Sequence, residues 1–110
     1  MSGALDLTIE QGATFTRTIT IKDSSNAAIN ISGDTFAGQV RKRHQSATAE
    51  ASFSFDLTNP TGGQLVASIS ATNTNAMTPG DFVYDIEWTN GSTVTRLLEG
   101  QATVTPQVTK

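Results

Sequence analysis

A chain of 110 residues fits one domain, because a single hydrophobic core commonly serves ~100 to 150 residues and at this size buries roughly two thirds of the unfolded surface without staples. Ten acidic residues against seven Lys and Arg leave a formal net charge of -3, so there is no whole-domain positive field to attract nucleic-acid phosphates. Cysteine is absent, which excludes disulfides, thiolate nucleophiles and zinc ribbons; the opening Met1-Ser2-Gly3-Ala4 is unlike a signal peptide, no run approaches the ~18 apolar residues of a membrane span, and cytoplasmic synthesis without membrane insertion is expected.

Period-two alternation runs through almost the whole chain and predicts an all-β fold. Leu5, Leu7 and Ile9 share one face of the first run, which Gln11-Gly12 breaks. The second run, about 13–22, alternates Phe15, Ile19 and Ile21 with Thr14, Thr16, Thr18 and Thr20, and β-branched threonine suits the solvent side of a pleat. After the polar turn 23–26, Ala28, Ile29, Asn30 and Ile31 suggest a short strand that ends at Ser32-Gly33-Asp34. A strand over about 35–43 carries Phe36, Gly38 and Val40 inward, and Arg41-Lys42-Arg43-His44 closes it. Ala51, Phe53, Phe55 and Leu57 form one face of the next, before the turn Asn59-Pro60-Thr61-Gly62-Gly63. Leu65, Ala67 and Ile69 mark another strand, 71–77 suits one helical turn, and Pro79-Gly80 ends it. Phe82, Tyr84, Ile86 and Trp88 then alternate with Val83, Asp85 and Glu87, with Asn90-Gly91 as a type I′ hairpin turn. On the return strand Val94, Leu98, Ala102 and Val104 continue the apolar face, which Arg96 and Gly100 interrupt. Short strands at ~8 to 12 residue spacing predict an immunoglobulin-like antiparallel β-sandwich of about 7–8 strands, one domain over 1–110, with 105–110 projecting as a tail because Pro106 disfavours central-sheet pairing.

Few residues suggest chemistry. Met77-Thr78-Pro79-Gly80-Asp81-Phe82-Val83-Tyr84 resembles the tyrosine corner of immunoglobulin-like sandwiches, in which the phenol bonds back to the preceding crossover; Tyr84, Trp88, Pro79 and Gly80 are therefore read as structural. Arg41, Lys42 and Arg43 read either as a solvated strand end or as an interface with an acidic partner, alternation sending Lys42 to the opposite face from the two arginines. The single His44 has no Ser, Cys or His at a catalytic spacing. Asp81, Asp85 and Glu87 lack the spacing of a cation loop or the opposing cleft of a glycosidase. Arg96 falls in the inward register, and either a bulge releases it or it pairs with Asp85 or Glu87 across the hairpin. No catalytic, cofactor or metal site is expected, and the sequons at Asn30 and Asn90 read as accidental without a secretion signal.

Three stretches carry a family resemblance: Leu5-Asp6-Leu7-Thr8-Ile9-Glu10-Gln11-Gly12-Ala13-Thr14-Phe15, then Ala37-Gly38-Gln39-Val40-Arg41-Lys42, then Gly80-Asp81-Phe82-Val83-Tyr84-Asp85-Ile86-Glu87 with Val94-Thr95-Arg96-Leu97-Leu98-Glu99-Gly100. Across nearly its full length the chain resembles small virion proteins of tailed bacteriophages with an immunoglobulin-like sandwich, similar to the N-terminal domains of baseplate and fibre-attachment proteins. The resemblance implies a non-enzymatic virion structural protein without cofactors, made in the host cytoplasm. It implies an adaptor at the tail, baseplate or fibre junction, with capsid or neck decoration as the alternative. The implied partners are other virion proteins in a symmetric, multi-copy assembly, with Arg41, Lys42, Arg43, Pro106 and Val108 as expected interface positions. A carbohydrate-binding host-attachment module is the rival from another class, which an exposed Trp88 would strengthen and a buried one weaken.

Overall fold

The computed structural model describes residues 3–43 and 49–108. The described strands are β1 (Gly3–Ala4), β2 (Leu7–Glu10), β3 (Phe15–Thr20), β4 (Thr35–Arg41), β5 (Ala51–Ser52), β6 (Ser54–Asn59), β7 (Gln64–Ile69), β8 (Gly80–Asn90) and β9 (Thr93–Thr105), with the short helix α1 (Ala71–Asn75) between β7 and β8. The larger sheet has the order β1-β9-β8-β4-β5, with β2 also on β9, and the smaller sheet is β3-β7-β6. Together they form an immunoglobulin-like sandwich. Leu7, Ile9, Val40, Phe82, Tyr84, Ile86, Ala102 and Val104 of the larger sheet are buried, as are Ile19, Leu65, Ala67 and Ile69 of the smaller one. The period-two pattern is thus a burial pattern, clearest in β7, where every second residue is buried.

Not every strand is antiparallel. β1 and β2 run parallel to β9, with Gly3 opposite Leu98 and Leu7 opposite Ala102. The turn at Gly12, whose φ of +84° suits a residue without a Cβ, delivers the chain into the other sheet, so β2 and β3 are consecutive without sharing a ladder.

The expected strand around 28–31 is a loop. Asp23 accepts bonds from the N–H groups of Ser25 and Ala27, Asn26 turns the chain at φ +65°, and a lone bridge joins Lys22 to Ala28. Ile29 donates to Ile21 and Ile31 to Pro60, so the main-chain donors go to two separate segments. Ile31 is nevertheless fully buried, which is the source of the strand-like signal.

The expected strand through Ala51 and Leu57 is divided between the sheets. Ala51 lies opposite Val40, and Phe55 lies opposite Ala67. The chain crosses at Phe53, whose N–H bonds the Gly38 carbonyl. Both halves face the same core, so the alternation continues across the switch.

In the last hairpin the turn and the place of Val94 differ from expectation, while Arg96 emerges at a bulge, one of its two expected outcomes. Asn90 pairs with Thr93, so the two-residue loop is Gly91-Ser92. Gly91 has φ +60° and Ser92 does not share the positive φ, the pattern of a type II′ turn, for which Gly at the first central position is preferred. In addition, Ile86 faces Leu98 while Glu87 faces Arg96, leaving Leu97 as the extra residue of a β-bulge. Parity reverses beyond the bulge: Arg96 is released to the outer face and Val94, expected inward, is 59% exposed.

The expected projecting tail is held as far as Gln107. Thr105 still pairs with Glu10, and Gln107 donates from its main chain to Gln11 and from its side-chain amide to Asn75. Pro106 is exposed and Val108 is 97% exposed.

Candidate functional site: the outer sheet face and the open edges

On the outer face of the larger sheet β4, β8 and β9 bring Gln39, Arg41, Val83, Asp85, Arg96 and Glu99 around a shallow depression of about 120 Å³. That is well below the ~300 to 1,000 Å³ of a typical small-molecule pocket. Arg96 Nε lies 3.5 Å from Asp85 and its Nη1 lies 3.7 Å from Glu99. The bulge and the cross-strand ion pair, posed as alternatives for Arg96, occur together. Glu87 stands opposite Arg96 in register, but the recorded ion pairs go to Asp85 and Glu99. These side chains are about half exposed, so each pair contributes under ~1 kcal/mol. Asp81 accepts a bond from the Thr103 hydroxyl at 3.3 Å. Among the described residues no group of three or more metal-ligating side chains comes together.

The basic run at the end of β4 does not form one patch. Arg41 bonds Gln39 Oε1 through Nε at 3.2 Å and Nη2 at 2.6 Å. Lys42 places its ammonium 5.0 Å from the centroid of the Phe82 ring, a cation–π contact at the end of the core. Arg43 is exposed, and His44 lies outside the described residues.

Tyr84 is buried, and its hydroxyl donates to the Leu5 carbonyl. The expected corner bond to the preceding crossover is therefore not the one formed: the acceptor lies between β1 and β2, where the parallel N-terminal segment passes over the tyrosine. Gly100 sits opposite Tyr84, and a Cβ there would run into that same Leu5 carbonyl. Burial raises the phenol's pKa from 10.0 to about 12, Asp6 adds to the rise, and Arg17 opposes it. Gly80 opens β8 at φ +143°, immediately after the exposed Pro79.

Trp88 is half-buried. Its indole N–H donates to Asp34 at 2.8 Å and its ring lies nearly parallel to Phe36, centroids 6.5 Å apart. With one face against Phe36 and its donor used, Trp88 is poorly suited to serve as a free stacking platform for a sugar.

Three residues that the sequence reading left out matter here. Asp34 anchors both Trp88 and Asn90. Thr74, fully buried, donates to the Ala13 carbonyl and accepts from the Gly12 N–H, locking α1 to the turn between β2 and β3. Arg17 occupies the inward register of β3, between Phe15 and Ile19, yet is exposed. Only Arg17 has a signal in the sequence, as the charged residue in an otherwise apolar alternation.

The sandwich also has open edges. β3 and β6 end the smaller sheet, while β5 and the β1–β2 segment end the larger one. Between β2 and β3 runs a groove lined in part by Asp6, Glu10, Thr16 and Arg17.

No protein-family model and no curated protein matches the sequence. Among solved structures, the crystal structure of Listeria monocytogenes InlP is similar over 94% of this chain, with 19% identity and a TM-score of 0.49. The chain spans 27% of that protein's length, and the likeness is too distant to carry any function across.

Proposed function

We propose that this chain is a non-enzymatic structural subunit of a tailed-phage virion, an accessory or adaptor at the tail, baseplate or fibre-attachment region that acts through protein–protein contacts. The virion context rests on the resemblance of the stretches quoted above. The observation that carries the mode of action is the open edge of the three-stranded sheet, where main-chain donors and acceptors face solvent beside threonine side chains. Such an edge recognises other chains by strand addition, and repeated copies in a symmetric particle add avidity to weak single contacts. The exposed Arg43, Pro106 and Val108, with Arg41 on the outer face, remain the proposed positions for further contacts with virion neighbours. The hydrogen-bonded, stacked Trp88 weighs against the carbohydrate-binding alternative.

Cryo-electron microscopy of the assembled particle tests this reading. Copies at the tail, baseplate or fibre junction are expected; copies on the capsid lattice or neck would make the chain a decoration protein, and absence from the particle would overturn the virion role.

A further inference from the structure

We infer that β3 is a self-complementary docking edge through which two copies of this chain pair antiparallel, with Thr18 on the two-fold axis. The inference rests on the assembly reading above and deepens it by naming one partner surface.

The open edges are not equivalent. The ladder of β6 shifts register between Asp56 and Asn59, β5 is two residues long, and Leu5 and Asp6 separate β1 from β2. β3 is paired to β7 without a shift over all six of its residues, Phe15 to Thr20. Bulges and short strands blunt an edge, whereas a regular, β-branched strand templates another.

The direction of its free groups follows from the ladder. Ile21, which continues the register, donates its N–H to the Gly63 carbonyl on the β7 side. Because antiparallel donors alternate, those of Arg17 and Ile19 point the same way, and those of Thr16, Thr18 and Thr20 point to the open edge. In an antiparallel pair centred on Thr18, that residue faces Thr18 of the second copy, and Thr16 faces Thr20. Every edge-pointing threonine then exchanges its donor and acceptor with another threonine, and Thr–Thr pairs are favourable cross-strand neighbours. Centring the pair on Arg17 would set the two guanidinium groups opposite each other, and centring it on Ile19 would keep Thr18 opposite Thr20 but set Thr16 against Lys22.

The matched threonine ladder supports a second copy as the occupant. Arg17 is the one charged residue of β3, and its side chain is on the inward face of the strand. In the Thr18-centred register each Arg17 lies opposite Ile19 of the other copy, so the two guanidinium groups are offset along the strands rather than face to face. One added strand buries less than the ~1,200 Å² of a standard stable interface, so the pair is weak in solution and is reinforced in an assembly.

Sedimentation equilibrium of the chain up to millimolar concentration tests the pairing. A monomer–dimer equilibrium is expected, weakened at least about tenfold by Thr18→Lys, which sets like charges opposite each other on the axis, and kept by Thr18→Ser. The thermal midpoints of both variants should match the parent, which separates lost association from lost fold. The chain has no cysteine, so Thr18→Cys should oxidise to a covalent dimer, while Thr58→Cys on the exposed opposite edge should not. Thr16→Cys should cross-link to Thr20→Cys in a mixture faster than to itself. A strictly monomeric chain, or equal cross-linking at positions 18 and 58, overturns the inference. If that monomer still occupies the particle, the assembly reading stands and only the self-pairing falls.

Discussion

The Tyr84 hydroxyl and the Leu5 carbonyl join parts of the chain that are far apart in sequence, and the geometry around them leaves little room for substitution. Tyr84→Phe removes the donor and leaves a main-chain acceptor unpaired, a loss of about 1 to 2 kcal/mol by denaturant unfolding. The pH dependence has a definite sign. The folded pKa is about 12 against 10.0 for an ordinary tyrosine, so the folded state retains the proton longer than the unfolded chain. The contribution is complete below pH 10 and falls away as pH rises toward 12, by on the order of 2 kcal/mol. The stability gap between the parent and Tyr84→Phe should therefore shrink across that window; a constant gap would show that the phenol is not held neutral by burial. The tyrosine's inward register was legible as alternation with Phe82 and Ile86. Its acceptor was not, because alternation assigns a face to a residue but does not say which distant segment crosses that face.

Among the elements, β9 shows how one extra residue overrides an alternation pattern. From Val104 back to Leu98 every second residue faces inward, and continuing that count would bury Arg96 and Val94. Leu97 absorbs the mismatch, because a buried guanidinium without a partner costs far more than a local break in the ladder. Deleting Leu97 removes the bulge but keeps Arg96 opposite Glu87 on the outer face, because the residue next to the inward Leu98 points outward; the expected loss is that of the half-buried Leu97 contacts, about 1 to 2 kcal/mol. Arg96→Ala should cost under ~1 kcal/mol in the parent and in the deletion variant alike, because Arg96 is on the outer face in both. Denaturant titrations of these variants check this; a deletion costing more than about 3 kcal/mol would mean that the ladder slips by one residue and turns Arg96 toward the core. The 51–59 segment shows the complementary case, in which a change of sheet leaves no mark on the pattern because both sheets share one core.

For the whole molecule, the pairing of the first strands with the last has a kinetic consequence. Gly3 meets Leu98 and Leu7 meets Ala102, so the larger sheet is complete only when the two ends of the chain have been brought together. Loop closure of that span precedes the contacts that repay it, and sandwiches of this kind fold in milliseconds to seconds. Stopped-flow refolding followed by Trp88 fluorescence should fall in that range; microsecond folding would contradict the dominance of non-local pairing.

The sequence alone determined the all-β class, the burial of alternate residues, the helical turn after the seventh strand and the place of the last hairpin, because these follow from side-chain period, β-branched content and turn chemistry within a few residues. Tertiary structure decided what local rules do not reach. It placed β1 and β2 parallel to β9, gave Ile31 a buried place outside any strand, moved Arg96 outward, spent the Trp88 donor on Asp34 and set β3 at an edge of the smaller sheet among the described residues. Each of these depends on which segments meet across the sandwich, and that is settled by the global balance of buried apolar surface against unpaired main-chain and charged groups.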